Sequence, residues 1–302
     1  GIYNALHQSV NDNSSGKLKI TTVFILLLAL VFRTKISNWY SYVSLAFGGL
    51  RGQKWKKALF LDLLLSDLHN KFAGASKPDF TSIFLNGLAH IQHHYYFNSK
   101  YYDGKLTNPE WYVSDGHDPI EDALDVYERI FNDHFRNFTD FEILITTGLR
   151  QVPYTSAKFY YRLKNHSNFL DNLNFNYSEV YPRMTRDFLV EFDCDEDCRY
   201  AQNILENIKI NSKRVFNEID NRGASLFVTL SYPDEIKPDD LISSGENTIG
   251  NAFDEFVFVA IKNGMHDSKG YSFSTNPSEL FETLDGKHVL HINSYFKERL
   301  LA

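Results

Sequence analysis

The chain has few cysteines, no excess of basic residues and no long apolar run. Cys194 and Cys198 are its only cysteines, which excludes a disulfide framework and a four-cysteine zinc site and favours a reducing, cytoplasmic setting. Lys and Arg total 31 against 38 Asp and Glu, a net charge of -7 that argues against a nucleic-acid partner. The most apolar stretch, residues 20–32, is shorter than the roughly 20 residues that cross a bilayer, so we expect no membrane span.

Hydrophobic residues form 43% of the 302 residues, enough for a large buried core. Polar turn-forming residues at the start predict a mobile lead-in over residues 1–18. An α/β core is expected over residues 19–153, which include N-terminal helices, and again over 219–302. The aromatic and Asn-rich segment 154–218 between them is expected to form a helical or irregular cap insertion above the sheet.

Apolar spacing and turn residues suggest the fold class. Helical periodicity is expected over residues 19–32, 39–47, 54–71 and 119–135. Unbroken apolar runs predict buried strands at Phe80 to Asn86, Phe141 to Thr146 and Phe256 to Ile261. Strands that alternate with helices in this way predict a largely parallel central sheet flanked by helices.

Three histidines crowd into a single turn after the first predicted strand. His90 would share a helical face with His93 and His94, at spacings that let two imidazoles reach one metal ion. His90 is also a candidate catalytic base. The alternative is that these rings stack and hydrogen-bond in a half-buried aromatic layer, without a metal or a catalytic role.

Two further segments follow predicted strands. His266 lies on a loop with Gly264 and Gly270 on either side, where it is well placed to meet the first cluster, although a polar hairpin loop is the alternative. Thr147, next to Gly148, is a candidate catalytic residue, because a hydroxyl and a glycine there could hold an oxyanion or a phosphate through backbone N–H groups; a plain turn is the alternative.

Short motifs in these segments are similar to those of a known family. From residues 77–80 through 92–96 the chain resembles the alkaline phosphatase superfamily, in its type I phosphodiesterase/nucleotide pyrophosphatase branch. His93 matches the metal-binding histidine of the family, and Ala89 stands where an aspartate ligand is expected. The family's late Gly-x-His loop matches His266, whereas Thr146–Leu149 replace its Ser-Asp-His-Gly motif, so both metal ligands are absent there.

The resemblance implies an alkaline-phosphatase-like fold with a degenerate metal site. The nucleophile and first aspartate of the family would lie upstream of Gly1, so we expect a longer natural protein. One divalent metal ion, zinc in first place, would bind to His93 and His266 with help from His90 or His94.

Three functions follow from these expectations. The first is a divergent phosphoester or sulfoester hydrolase, acting on a small-molecule or carbohydrate ligand in surface polysaccharide metabolism. The second is a catalytically inactive relative that serves as a carbohydrate-binding or scaffolding module. The third is a transferase that uses a histidine as general base.

Overall fold

A computed structural model describes residues 20–183 and 185–301 of the chain. The chain divides into two compact units, the first ending at Thr155 and resuming at Asn263, and the second formed by Ser156–Lys262. The expected lead-in at residues 1–18 lies outside the described residues. The segment 154–218 belongs almost wholly to the second unit, together with residues 219–262.

Helices dominate the first unit. They are α1 (Ile20–Arg33), α2 (Trp39–Leu50), α3 (Lys56–Ser76), α4 (Gly87–Tyr95), α5 (Pro119–Asn137), α9 (Glu279–Glu282) and α10 (His291–Leu301), with short 3-10 turns at Ile36–Asn38 and Tyr96–Asn98. The helical spacing expected over 39–47, 54–71 and 119–135 is confirmed. The helix expected over 19–32 is confirmed where the structure describes it, from Ile20.

Helix α5 begins where its sequence predicts. The side chain of Asp118 accepts hydrogen bonds from the backbone N–H groups of Ile120 and Glu121 at 3.0 and 3.1 Å, and Pro119 occupies the first turn. Both features satisfy the free donors of a helix start. The buried face of α5 then packs with α3 and α4 around a core that includes Trp55, Leu63 and Ile91.

The strands form small sheets. They are β1 (Leu144–Thr147), β2 (Arg150–Leu163), β3 (Glu179–Pro182), β4 (Asp187–Glu191), β5 (Ile208–Ile210), β6 (Lys213–Arg214), β7 (Glu218–Asn221), β8 (Ser225–Thr229), β9 (Leu241–Ser244), β10 (Asn247–Asn251), β11 (Phe256–Asp267) and β12 (Tyr271–Ser274). In the first unit β1 pairs antiparallel with β12. The chain passes between the units within β2 and within β11.

The second unit has its own core. It contains α6 (His166–Asp171), α7 (Asp195–Glu206) and α8 (Ala252–Glu255) with two four-stranded sheets in the orders β3-β4-β8-β7 and β10-β9-β5-β6. Neighbouring strands in both sheets run antiparallel. Buried side chains such as Phe188, Phe216 and Val228 form one apolar cluster between these elements.

The predicted largely parallel central sheet is wrong. Among the described residues the sheets have two to four strands, and no large parallel sheet is present. The run Phe80 to Asn86 is an extended loop, and Phe84 in it is 80% exposed. The runs at Phe141 to Thr146 and Phe256 to Ile261 do enter strands, β1 and β11, but in different small sheets.

The apolar helix α1 does not reach the length of a bilayer span. In the part of the chain that the structure describes, no other helix combines the length and the apolar character that crossing a membrane requires.

Candidate functional site

The histidine helix α4 is held at its start by Asp62 of α3. One carboxylate oxygen of Asp62 accepts hydrogen bonds from the backbone N–H of Gly87 and from the hydroxyl of Tyr127, both at 2.7 Å. A Cβ on Gly87 would lie 2.5 Å from that oxygen, so a larger residue at this position would have to displace the carboxylate of Asp62. Burial raises the pKa of Asp62, while these hydrogen bonds oppose the shift.

The end of β11 is fixed by Asn263, which is fully buried. Its amide exchanges two hydrogen bonds with the amide of Asn108, at 2.8 and 2.9 Å, and its oxygen also accepts from the backbone N–H of Phe97 at 3.0 Å. A buried amide with its partners in place strongly favours one arrangement of the surrounding backbone. The three residues before His266 are therefore tied to the segment that follows α4.

Gly264 brings this strand against the histidine helix. A Cβ at this position would be 2.4 Å from the carbonyl oxygen of Gln92 and 3.3 Å from the Cα of His93. Only a glycine allows two backbones to approach this closely. The contact leaves the carbonyl oxygen of Gly264 at 3.2 Å from Nδ1 of His93.

His93 and His266 lie next to each other although 173 positions separate them in the sequence. Their Nε2 atoms are 2.8 Å apart and their ring centroids 4.7 Å apart. Because the carbonyl of Gly264 can only accept, Nδ1 of His93 carries a proton, and Nε2 of neutral His93 then accepts the hydrogen bond from Nε2–H of His266. The expected proximity of these two histidines is observed.

Gln151 completes the group. Its side-chain nitrogen lies 3.0 Å from Nε2 of His93, at the start of β2. Its side-chain oxygen is buried and has no hydrogen-bond partner among the described residues. An unpaired buried amide oxygen costs about 1–3 kcal/mol, so this atom is a candidate for a ligand.

Electrostatic contacts fix the two strands that carry Gln151 and His266. The guanidinium of Arg150 contacts the carboxylate of Asp267 at 2.6 Å and donates to the hydroxyl of Tyr271 at 3.2 Å. The hydrogen bond from Arg150 lowers the pKa of Asp267. Because Arg150 and Asp267 directly adjoin Gln151 and His266, the ion pair ties together the two backbone segments that carry these side chains.

His90 and His94 form a second pair on α4. Their rings are 4.8 Å apart in an edge-to-face arrangement, and the ring of His94 is 6.1 Å from that of His93. Although His90 is exposed overall, desolvation by its neighbours, followed by the charge of His93, lowers its pKa. The aromatic layer that the sequence left open as an alternative therefore describes His90 and His94 well.

Thr147 has a structural partner. Its hydroxyl accepts a hydrogen bond from the backbone N–H of Tyr271 at 2.9 Å, within the β1–β12 pair. Among the described residues, this hydroxyl makes no hydrogen bond to His93 or His266. A catalytic role for Thr147 stays a prediction.

The imidazoles of His93 and His266 are the candidate metal donors of this site. No group of three or more His, Cys, Asp or Glu side chains with metal-binding spacing occurs in residues 20–183 and 185–301. Two imidazole nitrogens on a tetrahedral zinc lie about 3.4 Å apart, given Zn–N distances of about 2.0–2.1 Å. The observed 2.8 Å is a hydrogen-bond distance, so a small opening of the pair would be needed to admit zinc.

A half-turn of the Gln151 amide would exchange its oxygen and nitrogen and offer a third donor. This histidine site, defined by His93, His266 and Gln151, therefore offers at most three candidate donors to a single metal ion. They do not supply the carboxylates of a two-metal centre.

Comparison with known proteins gives no family for this chain. No family model, curated protein or solved structure matches it. The resemblance to the alkaline phosphatase superfamily therefore rests on the short motifs alone and stays a prediction.

Two contributors to the site were not predicted from the sequence. Gln151 was not singled out, although it lies in the segment that follows the strand at Phe141. Asn108 was also missed, because nothing local indicates that its partner would be Asn263, 155 positions away. His266, in contrast, could be found from the glycines on either side of it, although it lies in strand β11 and not on the expected loop.

Proposed function

We propose that the first unit is a hydrolase of phosphate or sulfate esters that works with a single divalent metal ion at the histidine site. The observation that carries the proposal is the meeting of two imidazole nitrogens at 2.8 Å beside the side-chain amide of Gln151, whose nitrogen lies 3.0 Å from His93 and whose oxygen is buried without a partner among the described residues. Such a set of neutral nitrogen and oxygen donors suits zinc.

The residues have separate roles in this proposal. His93 and His266 would hold the metal through Nε2, and Gln151 would add its side-chain oxygen. The carbonyl of Gly264 keeps Nδ1 of His93 protonated and so leaves Nε2 as the donor atom. When bound, the metal would act as a Lewis acid on an oxygen of the ester. Arg150 is paired with Asp267 and is therefore not a free anion-binding group.

A transferase or hydrolase without metal is the second candidate, favoured by the hydrogen-bond distance between the two rings. In this arrangement His93 accepts from Nε2–H of His266, which leaves Nδ1 of neutral His266 with a lone pair. His266 would then act as general base and His93 as the residue that orients it.

The decisive experiment measures zinc and turnover on the same samples. Purified chain is loaded with zinc, dialysed and analysed for metal, then assayed with p-nitrophenyl phosphate, bis(p-nitrophenyl) phosphate and p-nitrocatechol sulfate. We expect one zinc per chain in the parent protein. His93→Ala and His266→Ala should lose the metal, and turnover should fall by about 100-fold or more.

His291→Ala is the matched control, because His291 is an exposed histidine of the same unit. It should leave both zinc content and turnover unchanged. Turnover that survives a chelator but is lost in His266→Ala would replace the metal proposal with the general-base candidate. Two tightly held metal ions per chain, or no turnover of any of the three esters, would overturn the proposal.

A further inference from the structure

Three side chains outside the histidine site form a continuous hydrogen-bonded chain. The hydroxyl of Thr81 lies 2.9 Å from Nε2 of His69, and Nδ1 of His69 lies 3.2 Å from Nε2 of His134. Nδ1 of His134 lies 2.9 Å from the carbonyl oxygen of Ile130. The chain therefore runs from an exposed hydroxyl to a buried histidine.

The carbonyl of Ile130 determines which ring nitrogen of each histidine carries the proton in this relay, the hydrogen-bonded chain of Thr81, His69 and His134. Because it only accepts, Nδ1 of His134 donates to it, and Nε2 of neutral His134 must accept. Nδ1–H of His69 then donates to His134. The remaining nitrogen of His69, Nε2, carries a lone pair and accepts the hydroxyl proton of Thr81.

Rigid elements hold the two histidines. His69 lies on α3 and His134 near the end of α5, and their rings stack at 5.3 Å. The ring of Phe138 covers both, at 6.1 Å from His69 and 5.8 Å from His134. Thr81, in contrast, lies on the extended loop after α3, where its hydroxyl is accessible. In an activated nucleophile, an accessible hydroxyl is hydrogen-bonded to a base, and a third group orients that base. Thr81, His69 and His134 have this arrangement.

We propose that Thr81 is the nucleophile of a second, acyl-transferring site, with His69 as its general base and His134 as the positioning residue that holds His69. The substrate would be a carboxylic ester. Thr81 Oγ attacks the carbonyl carbon, Nε2 of His69 takes the hydroxyl proton, and the same nitrogen returns it to the departing alcohol. Water, deprotonated by His69, then cleaves the acyl ester of Thr81 and restores the hydroxyl.

An acyl group fits this site better than a phosphoryl group. Phosphoryl transfer relies on cations around the transferred group. No Lys or Arg contact to Thr81 or His69 is present among the described residues. The backbone N–H groups of Thr81 and Ser82 also have no acceptor within that part of the chain, so they are open to the oxygen of an acyl carbonyl.

A cleft of about 410 Å³, which Phe138 also lines, lies along the same helix α3. Its wall carries Arg33, Lys35, Lys71 and the carboxylate of Asp67, and Lys35 is paired with Asp133 at 2.8 Å, which leaves Arg33 and Lys71 against Asp67. Asn70 in this wall is only 8% exposed, and neither polar atom of its amide has a hydrogen-bond partner among the described residues. A substrate carboxylate would satisfy this amide and the excess of cations, so we expect an ester that carries a second, anionic group.

The test uses a fluorophosphonate probe on the purified full chain. Thr81 Oγ would form the new P–O bond, fluoride would leave, and His69 would take the proton. Mass spectrometry of peptides should then find one adduct, on Thr81. Thr81→Ala should abolish labelling, Thr81→Ser should label within about threefold of the parent, and His69→Ala should slow labelling by about 100-fold or more.

Matched variants separate chemistry from folding. Ser76→Ala removes another exposed hydroxyl, at the end of α3, and should leave labelling unchanged. His134→Gln keeps an acceptor for Nδ1–H of His69 and should retain labelling, whereas His134→Leu should lose labelling in a protein that still unfolds cooperatively. An adduct on Ser82, or full labelling of Thr81→Ala, would overturn the proposal.

Substrate class has its own measurement. Mono-p-nitrophenyl glutarate should acylate Thr81 faster than neutral p-nitrophenyl acetate, and the reverse order would contradict the basic cleft as the substrate site. His266→Ala should not change any of these rates. A failure of the Thr81 proposal is therefore distinguishable from a failure of the proposal for the histidine site.

Discussion

Gly264 and Gln92 are in backbone contact so close that a Cβ on Gly264 would lie 2.4 Å from the carbonyl oxygen of Gln92. Gly264→Ala must therefore push β11 away from α4 and separate His266 from His93. We expect zinc affinity, measured by competition with a chromophoric chelator, to fall by about 10- to 100-fold.

Gly148→Ala is the control for this change. The nearest atom to a Cβ at Gly148 is a side-chain carbon of Val289 at 3.8 Å, an ordinary contact. This variant should bind zinc as the parent does. Equal affinities of the Gly264 variant and the parent would show that the close approach does not position His266.

Asp62 ties three helices together, because it lies on α3 and accepts from Gly87 of α4 and from Tyr127 of α5. Asp62→Ala leaves the buried N–H of Gly87 and the hydroxyl of Tyr127 without an acceptor. We expect the free energy of unfolding in urea to fall by about 2–4 kcal/mol, and by about 1–2 kcal/mol in Tyr127→Phe. Asp125 is an exposed carboxylate on the same helix as Tyr127, and Asp125→Ala should change the free energy of unfolding by less than about 0.5 kcal/mol.

His166 makes the second unit sensitive to acid. Desolvation, followed by the charge of Arg162, lowers the pKa of its ring to about 4. Since the unfolded chain takes up this proton near the ordinary histidine pKa of about 6.5, stability is intact above that pH and is lost as the pH falls towards 4. The loss should be about 1–2 kcal/mol after allowance for solvent screening. His166→Gln should remove this part of the pH dependence in urea titrations. If the variant's stability changed with pH as the parent's does, His166 would not be the cause.

The sequence predicts the helices better than the sheets. Helix α5 has a regular apolar period and a local cap at Asp118, so its start needs no information from elsewhere in the chain. In contrast, β1 pairs with β12 across more than 120 positions, as in the partners Leu144 and Ser274, and no local pattern specifies that pairing. The run Phe80 to Asn86 has strand composition, yet Phe80 packs on Phe296 at a ring distance of 5.0 Å and the segment stays an extended loop.

The histidine site was only partly predictable, because it too depends on contacts between residues that are distant in sequence. His93 and His266 were expected to meet at the carboxyl ends of parallel strands, and they do meet, although no such sheet brings them together. Their contact depends instead on Asn263 and Gly264, whose partners are distant in sequence. The relay from Thr81 to His69 and His134 was not predicted, because its members lie on a loop and two helices without a shared motif.

The labelling of Thr81 should depend on pH through His69. Desolvation and the charge of His134 lower the pKa of His69, and His134 itself faces Asp133, Lys35 and Asp67. Only neutral His69 accepts the proton, so labelling should rise with pH and reach half its maximum below pH 6.5. His134→Gln removes the charge of His134, so the pH at which labelling is half-maximal should move upward. A midpoint above pH 6.5 in the parent would argue against His69 as the base.

Gln151 offers the sharpest test of the metal proposal, because one substitution should change two measurements in opposite directions. Gln151→Glu replaces the buried, unpartnered amide oxygen with a carboxylate at the same reach from Nε2 of His93. Without metal, a buried charge lacking a partner should lower the melting temperature. With zinc, the carboxylate is a stronger ligand than an amide, so affinity should rise by about tenfold or more and the melting temperature should recover. Gln151→Leu is the matched control, since it removes the donor without adding charge and should weaken zinc binding. If the Glu variant binds zinc no better than the Leu variant, Gln151 is not a ligand, and the 2.8 Å contact between His93 and His266 is then a hydrogen bond without a metal role.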